Sequence, residues 1–85
     1  MMNHKDVLSS AVNTLRDRAA RYGNEDSMFD KASRIASILC DRIVTPWEIV
    51  QIMIAVKQVR MSVDPKNDDN YVDQVNYTAF AAQFA

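Results

Sequence analysis

The sequence predicts an all-α fold of four helices, and three observations carry that reading. Gly occurs once and Pro twice in 85 residues, too few chain breakers for a fold built on many tight turns. Apolar residues recur at the helical period, and no segment shows the strict alternation of a strand. Finally, Thr45-Pro46-Trp47-Glu48 joins a preferred N-cap residue, Pro at the first helical position and Glu at the third, the pattern of a capping box.

The first helix is expected over roughly His4 to Tyr22, where Leu8, Ala11, Val12, Leu15 and Ala19 form one stripe and Lys5, Arg16, Arg18 and Arg21 lie off it. Gly23 then occupies the position where a helix favours a residue tolerant of positive φ. Ser27 with Asp30 predicts the start of the second helix, whose apolar face reads Met28, Phe29, Ala32, Ile35, Leu39 and Ile43. The third starts at Pro46 and runs to about Met61; it is apolar on nearly all sides through Val56, as a central or doubly covered helix would be. Pro65 ends it or lies just past its end. Asp68 or Asp69 begins the fourth, placing negative charge at the favourable pole of the helix. That helix carries Val72, Val75, Ala79 and Ala82 on one side and Tyr77, Phe80 and Phe84 on another.

Residues 1–85 are expected to form a single domain, close to the size at which one core only just suffices. Hydrophobic residues make up 48% of the chain, more than a bundle this small hides, so a homo-oligomer is the simplest outcome. The net charge of −1 provides no basic field of the kind that drives duplex nucleic-acid binding. Cys40 is the only cysteine, which excludes an internal disulfide and fits a reducing cytoplasm. Its apolar neighbours Ile38 and Leu39 predict a buried structural thiol. No stretch has the length of apolar residues that a membrane span requires, and the N-terminus lacks a signal-peptide core. Neither a Ser/His/Asp or Cys/His set, nor a Gly-rich phosphate loop, nor a zinc spacing is present.

The chemistry is concentrated near the C-terminus. Lys57-x-x-Arg60 precedes Pro65, and Asp68-Asp69-Asn70-Tyr71-Val72-Asp73 and Tyr77 follow it. A hairpin folded at Pro65 brings Arg60 opposite the start of the fourth helix and Lys57 near its second turn, within reach of Asp69, Asp73 and Tyr77. Lys57 and Arg60 share a helical face suited to gripping a phosphate, Arg through bidentate hydrogen bonds and Lys as a point charge. The same residues read equally as an internal ion-pair network.

Taken together, Arg18-x-x-x-Tyr22-Gly23, Phe29, Thr45-Pro46, Lys57-x-x-Arg60, Pro65, Asp69-x-x-x-Asp73 and Tyr77 resemble small domains of unknown function common in bacteriophage genomes. The resemblance extends from about Leu15 to Ala82. Those domains look in turn like distant relatives of the MazG-like all-α nucleotide pyrophosphohydrolases and of phage nucleotide-modification-associated helical domains. It implies a four-helix MazG-like bundle, oligomeric and cytoplasmic in the host cell, that binds a phosphorylated nucleotide. On that reading Arg18, Lys57 and Arg60 contact phosphate, Tyr22 or Tyr77 stacks or hydrogen-bonds, and Asp69 and Asp73 orient the cations or hold one Mg²⁺.

MazG-like enzymes hold magnesium with a Glu-x-x-Glu pair and a later Glu-x-x-Asp pair, because a hard cation on a triphosphate needs converging oxygens. The only glutamates here are Glu25 and Glu48, and the later pair reads Asn70-x-x-Asp73. The leading expectation is therefore nucleotide binding or sequestration without a full catalytic metal cage. The alternatives are a Mg-dependent nucleoside triphosphate pyrophosphohydrolase drawing on Asp69, Asp73 and Glu48, and a phage inhibitor that binds a host protein through its Met-rich surface.

Overall fold

The computed structural model describes residues 2–85, and among them all regular structure is helical. The order is α1 (His4–Tyr22), α2 (Glu25–Cys40), α3 (Pro46–Val63) and α4 (Asp68–Phe84). Local chemistry explains each start. Asn3 caps α1 in a reciprocal box with Asp6, and Thr45 does the same for α3: the Glu48 N–H donates to Thr45 Oγ1 at 3.2 Å while the Thr45 N–H donates to Glu48 Oε1 at 3.2 Å. Asn67 caps α4, accepting from the Asp69 N–H. Helix α2 starts two residues ahead of the expected Ser27. The Asn24 side chain accepts from the Asp26 N–H at 2.9 Å, so a stronger cap lies upstream of the Ser27–Asp30 pair.

Gly23 adopts φ 82° as it ends α1, and its N–H donates to the Ala19 carbonyl. Asp41 ends α2 in the left-handed region at φ 51°. The α2–α3 connection is pinned by Ser37: its hydroxyl donates to the Val44 carbonyl at 3.2 Å and accepts from the Val44 N–H at 2.9 Å. Tyr71 closes the α3–α4 hairpin by donating from its hydroxyl to the Pro65 carbonyl at 2.9 Å. Helix α1 is held to α4 where the Asn76 amide donates to the buried Ala11 carbonyl at 3.0 Å.

Helices α3 and α4 form the tightest pair, and the small core of Phe29, Val50, Phe80 and Ala81 joins α2 to that hairpin. Three expectations from the sequence are corrected. The buried stripe of α4 holds Val72, Asp73, Asn76, Phe80 and Ala81, while Ala79 and Ala82 are exposed. The rotation of α4 decides this: the face carrying Asp73 and Phe80 turns toward Lys57 and the core, which buries Ala81 and leaves Ala79 and Ala82 outside. Helix α3 is not covered all round: Ile52, Val59 and Val63 are exposed, and only Val50 and Lys57 are buried. Cys40 is exposed, because the C-terminal half of α2 has one uncovered face on which Ile38 and Leu39 are about four-fifths exposed. No helix among the described residues is long and apolar enough to cross a membrane.

Thr45→Ala is expected to lower stability by about 1 kcal/mol, the usual cost of losing a side-chain cap. The Glu48 carboxyl is held below its ordinary value chiefly by the hydrogen bond from the Thr45 N–H, and next by Arg42 at 3.2 Å. A carboxyl of depressed pKa stabilises the fold above its ordinary range and loses that contribution as pH falls through the lowered value. Urea unfolding checks both effects: Thr45→Ala should cost about the same at pH 7 and pH 3, since alanine keeps the backbone N–H, whereas Glu48→Gln should cost less at pH 3 than at pH 7.

Candidate functional site

The turn at Pro65 sets α3 and α4 antiparallel, so Lys57 meets Asp73 one to two turns from the hairpin end. Lys57 Nζ lies 2.8 Å from Asp73 Oδ2, with the side chains 9% and 11% exposed. The third group comes from α1, whose Arg18 Nη2 lies 3.0 Å from Asp73 Oδ1. Two cations from different helices thus converge on the two oxygens of one buried carboxylate. An arrangement of this kind is costly unless its hydrogen bonds are satisfied, and this carboxylate has both oxygens engaged.

These groups form the polar end of a cavity of about 460 Å³ bounded by all four helices. Phe29, Ile49 and Met53 supply apolar wall, and Tyr22, Glu25 and Tyr77 complete the lining. Tyr77 packs edge-on against Phe29, with ring centroids 6.2 Å apart and planes at 76°. Tyr22 is 71% exposed, at the cavity rim. Five of the residues singled out in the sequence, Arg18, Tyr22, Lys57, Asp73 and Tyr77, therefore line one cavity.

Arg60 and Asp69 do not. Both are exposed, neither lines the cavity, and neither forms an ion pair among the described residues. Arg60 is one turn nearer the hairpin end than Lys57, beyond the contact with α1. Asp69 sits in the first turn of α4, where its backbone is engaged in capping. An Asp69–Asp73 metal half-site is accordingly not assembled, and among the described residues no three His, Cys, Asp or Glu side chains converge as metal ligands would.

Glu25 is the member of the site that sequence reasoning missed. It is buried, 8% exposed, in the first turn of α2. Burial, foremost, pushes its carboxyl above the ordinary value of 4.5; the Asp73 and Asp26 carboxylates add to the rise and Arg18 opposes it. The only local cue was an acid in a first helical turn, which ordinarily reads as a solvated partner of the helix dipole. A carboxyl of raised pKa keeps its proton in the folded protein after the unfolded chain has lost it, so stability falls as pH rises through that window. Glu25→Gln is expected to remove this loss: urea unfolding at pH 4 and pH 7 should show the variant gaining on the parent at the higher pH. A variant that instead loses ground at pH 7 would mean that the charged carboxylate is stabilised here.

A larger groove of about 740 Å³ runs between the start of α1 and the first half of α4, past Val7, Leu8, Met61 and Val75. Among the described residues no Lys or Arg lines it, and His4 and Asp68 are its ionisable groups besides Tyr71, so it lacks the paired cations of the Arg18–Lys57 cavity. The family model for the domain of unknown function DUF6378 matches residues 6–85. The chain belongs to the DUF6378 family. The match takes in α1 from Asp6 onward, the other three helices whole and all of the cavity residues, so the site lies inside the DUF6378 domain. No curated protein and no solved structure matches this DUF6378 chain.

Proposed function

We propose that the cavity bounded by Arg18, Lys57 and Tyr77 binds the phosphate-bearing end of a nucleotide. The observation that supports this is its charge balance. Two cations face the cavity, one carboxylate is shared between them, and the second carboxyl, Glu25, is in surroundings that disfavour its ionisation. Lys57 donates to no group but Asp73 among the described residues, which leaves ammonium hydrogens to spend on a ligand. Arg18, about one-third exposed, has its remaining guanidinium donors for the same anion. The apolar wall and the ring of Tyr77 suit a base or sugar, and Tyr22 at the rim offers a stacking surface.

Asp73 acts as an anchor that holds both cations toward the cavity. With each of its oxygens already engaged it is not free to serve as a magnesium ligand, so on this reading Mg²⁺ enters with a triphosphate as its counterion. The MazG-like and phage-type affinities inferred from the sequence fit a nucleotide ligand, and the uncovered faces of α2 and α3 fit a homo-oligomer. Sequestration without turnover is the favoured form, since among the described residues Glu25 and Asp73 are the only carboxylates lining the cavity.

Thermal unfolding with a panel of nucleoside triphosphates, with and without Mg²⁺, tests the reading. A ligand at tenfold excess over its Kd should raise Tm by roughly 6 to 11 °C for a domain of this size. Lys57→Met should abolish that rise. Its stability cost should be smaller than that of removing Asp73, because Arg18 still pairs with the carboxylate. A parent protein whose Tm no nucleotide moves, or a Lys57→Met variant that binds as the parent does, would sink the proposal. Release of pyrophosphate during incubation would instead favour the pyrophosphohydrolase reading.

A further inference from the structure

The surface of the protein is larger than its mass warrants. A folded monomer of 9.7 kDa is expected to expose roughly 5,100 Å², whereas this chain exposes 5981 Å². The surplus of roughly 850 Å² matches the share each partner contributes to a standard-sized interface. The radius of gyration agrees: it is 13.7 Å, against about 12 Å for a compact chain of this length.

Much of the exposed apolar surface lies on two stripes of α2 and α3. On α2, Met28 and Ala32 line the cavity, and the same helical stripe continues through Ile35, 60% exposed, to Leu39, 79% exposed. On α3, Ile49 and Met53 line the cavity, and the adjoining stripe of Ile52, Val56, Val59 and Val63 is open to solvent. Both apolar stripes are thus continuations of the cavity wall. None of their positions is charged, so two copies of the patch can face each other across a two-fold axis without opposing like charges. Of the charges beside them, Arg34 is paired with Asp30 at 3.0 Å and Arg42 with Glu48 at 3.2 Å, while the exposed Lys31 and Arg60 lie at the edges of the stripes.

We infer that a second copy of this chain docks on the α2–α3 face and closes the mouth of the Arg18–Lys57 cavity, so that the site is complete only in the dimer. Isologous pairing brings the partner's α2–α3 stripes across the opening flanked by Met28, which is 54% exposed in the single chain. Covering that opening excludes water from the cation pair and strengthens its hold on an anion. The inference rests on the reading of the cavity as a ligand site for its consequence, but not for its geometry.

Sedimentation equilibrium and peroxide footprinting read the two parts separately, without nucleotide. The parent should sediment at twice the chain mass at micromolar concentration. Oxidation of Met28 by hydrogen peroxide, followed by peptide mass spectrometry, should slow several-fold as the protein is concentrated through the monomer–dimer transition. Leu39→Glu and Val59→Glu, both at exposed positions away from the cavity, should sediment as folded monomers in which Met28 reacts at the dilute-parent rate. They should also lose most of any affinity the parent has for the nucleoside triphosphate ATP. A parent that stays at the chain mass overturns the inference, leaving the face to a different occupant such as a host protein or a membrane surface. A dimer with unprotected Met28 overturns it equally, since another surface, such as the α1–α4 groove, then makes the contact. If the parent dimerises and protects Met28 but binds no nucleotide, the docking stands and the ligand reading alone fails.

Discussion

Asp73→Ala is expected to destabilise the protein by about 3 to 5 kcal/mol, the cost of stranding a buried charge. Asp73 is the only group among the described residues that pairs with Lys57, whose side chain is 9% exposed, and it also holds Arg18 at 3.0 Å. Its removal leaves two cations from α1 and α3 facing one another in the wall of an apolar cavity with no counterion. A domain of this length has a total stability of roughly 4 to 13 kcal/mol, so the substitution should remove about a quarter of that stability or more. Urea denaturation measures the loss.

A second substitution separates this account from a generic packing defect. Adding Lys57→Met to Asp73→Ala replaces the stranded charge by an apolar side chain of similar length, and the double variant should recover part of the lost stability. A double variant less stable than Asp73→Ala alone would refute the ion-pair account. The same pair of experiments bears on function. The cavity's cations are held by the fold whether or not a ligand is present, so a structural role for Lys57 and a binding role are compatible, and only the nucleotide-dependent rise in Tm distinguishes them.

Phe29→Ala should cost a comparable amount, about 3 to 5 kcal/mol, as expected when a core aromatic ring is truncated. Phe29 is the sole large apolar side chain that α2 buries. Its ring meets those of Tyr77, Phe80 and Phe84 edge-on at centroid distances of 6.2, 5.2 and 6.0 Å, so α4 supplies all three of these aromatic neighbours. Besides its packing against α3, the polar ties of α2 to the hairpin are few: the connection through Ser37, and a 2.9 Å hydrogen bond from the Gln83 amide to Asp26 near the surface. The loss should therefore be local before it is global. Hydrogen exchange should accelerate across Glu25–Cys40 while amides of the α3–α4 hairpin keep most of their protection. Uniform acceleration in all four helices would show that α2 is not a separable unit.

The helical architecture was legible in the residues because its determinants are local. Asn and Thr caps, the Pro at position 46, the Gly at position 23 and the apolar period act over three or four neighbours, and the structure places α1, α3 and α4 where those signals lie. Even the misplaced start of α2 is a local matter, a competition between Asn24 and Ser27 for the same role. Part of the site was legible for a similar reason: once Pro65 is taken as a hairpin, the facing of Lys57 and Asp73 follows from counting residues back and forward from the turn.

What the chain order left open depends on rotations and crossings between helices. Arg60 shares a face with Lys57 in any isolated helix, yet it lies beyond the crossing of α1, so Arg18 and not Arg60 is the second cation at Asp73. Asp69 and Asp73 share a face too, but only Asp73 lies deep enough to be covered. Glu25 became a buried carboxyl because α2 crosses over the hairpin near its own first turn. Cys40 and the stripes of Ile35, Leu39 and Val59 are exposed for the complementary reason: the crossing that buries the start of α2 carries the outer face of its other end into solvent. Helix formation is decided within a few residues, whereas burial is decided by which helices cross and at what depth, and only the tertiary structure contains that.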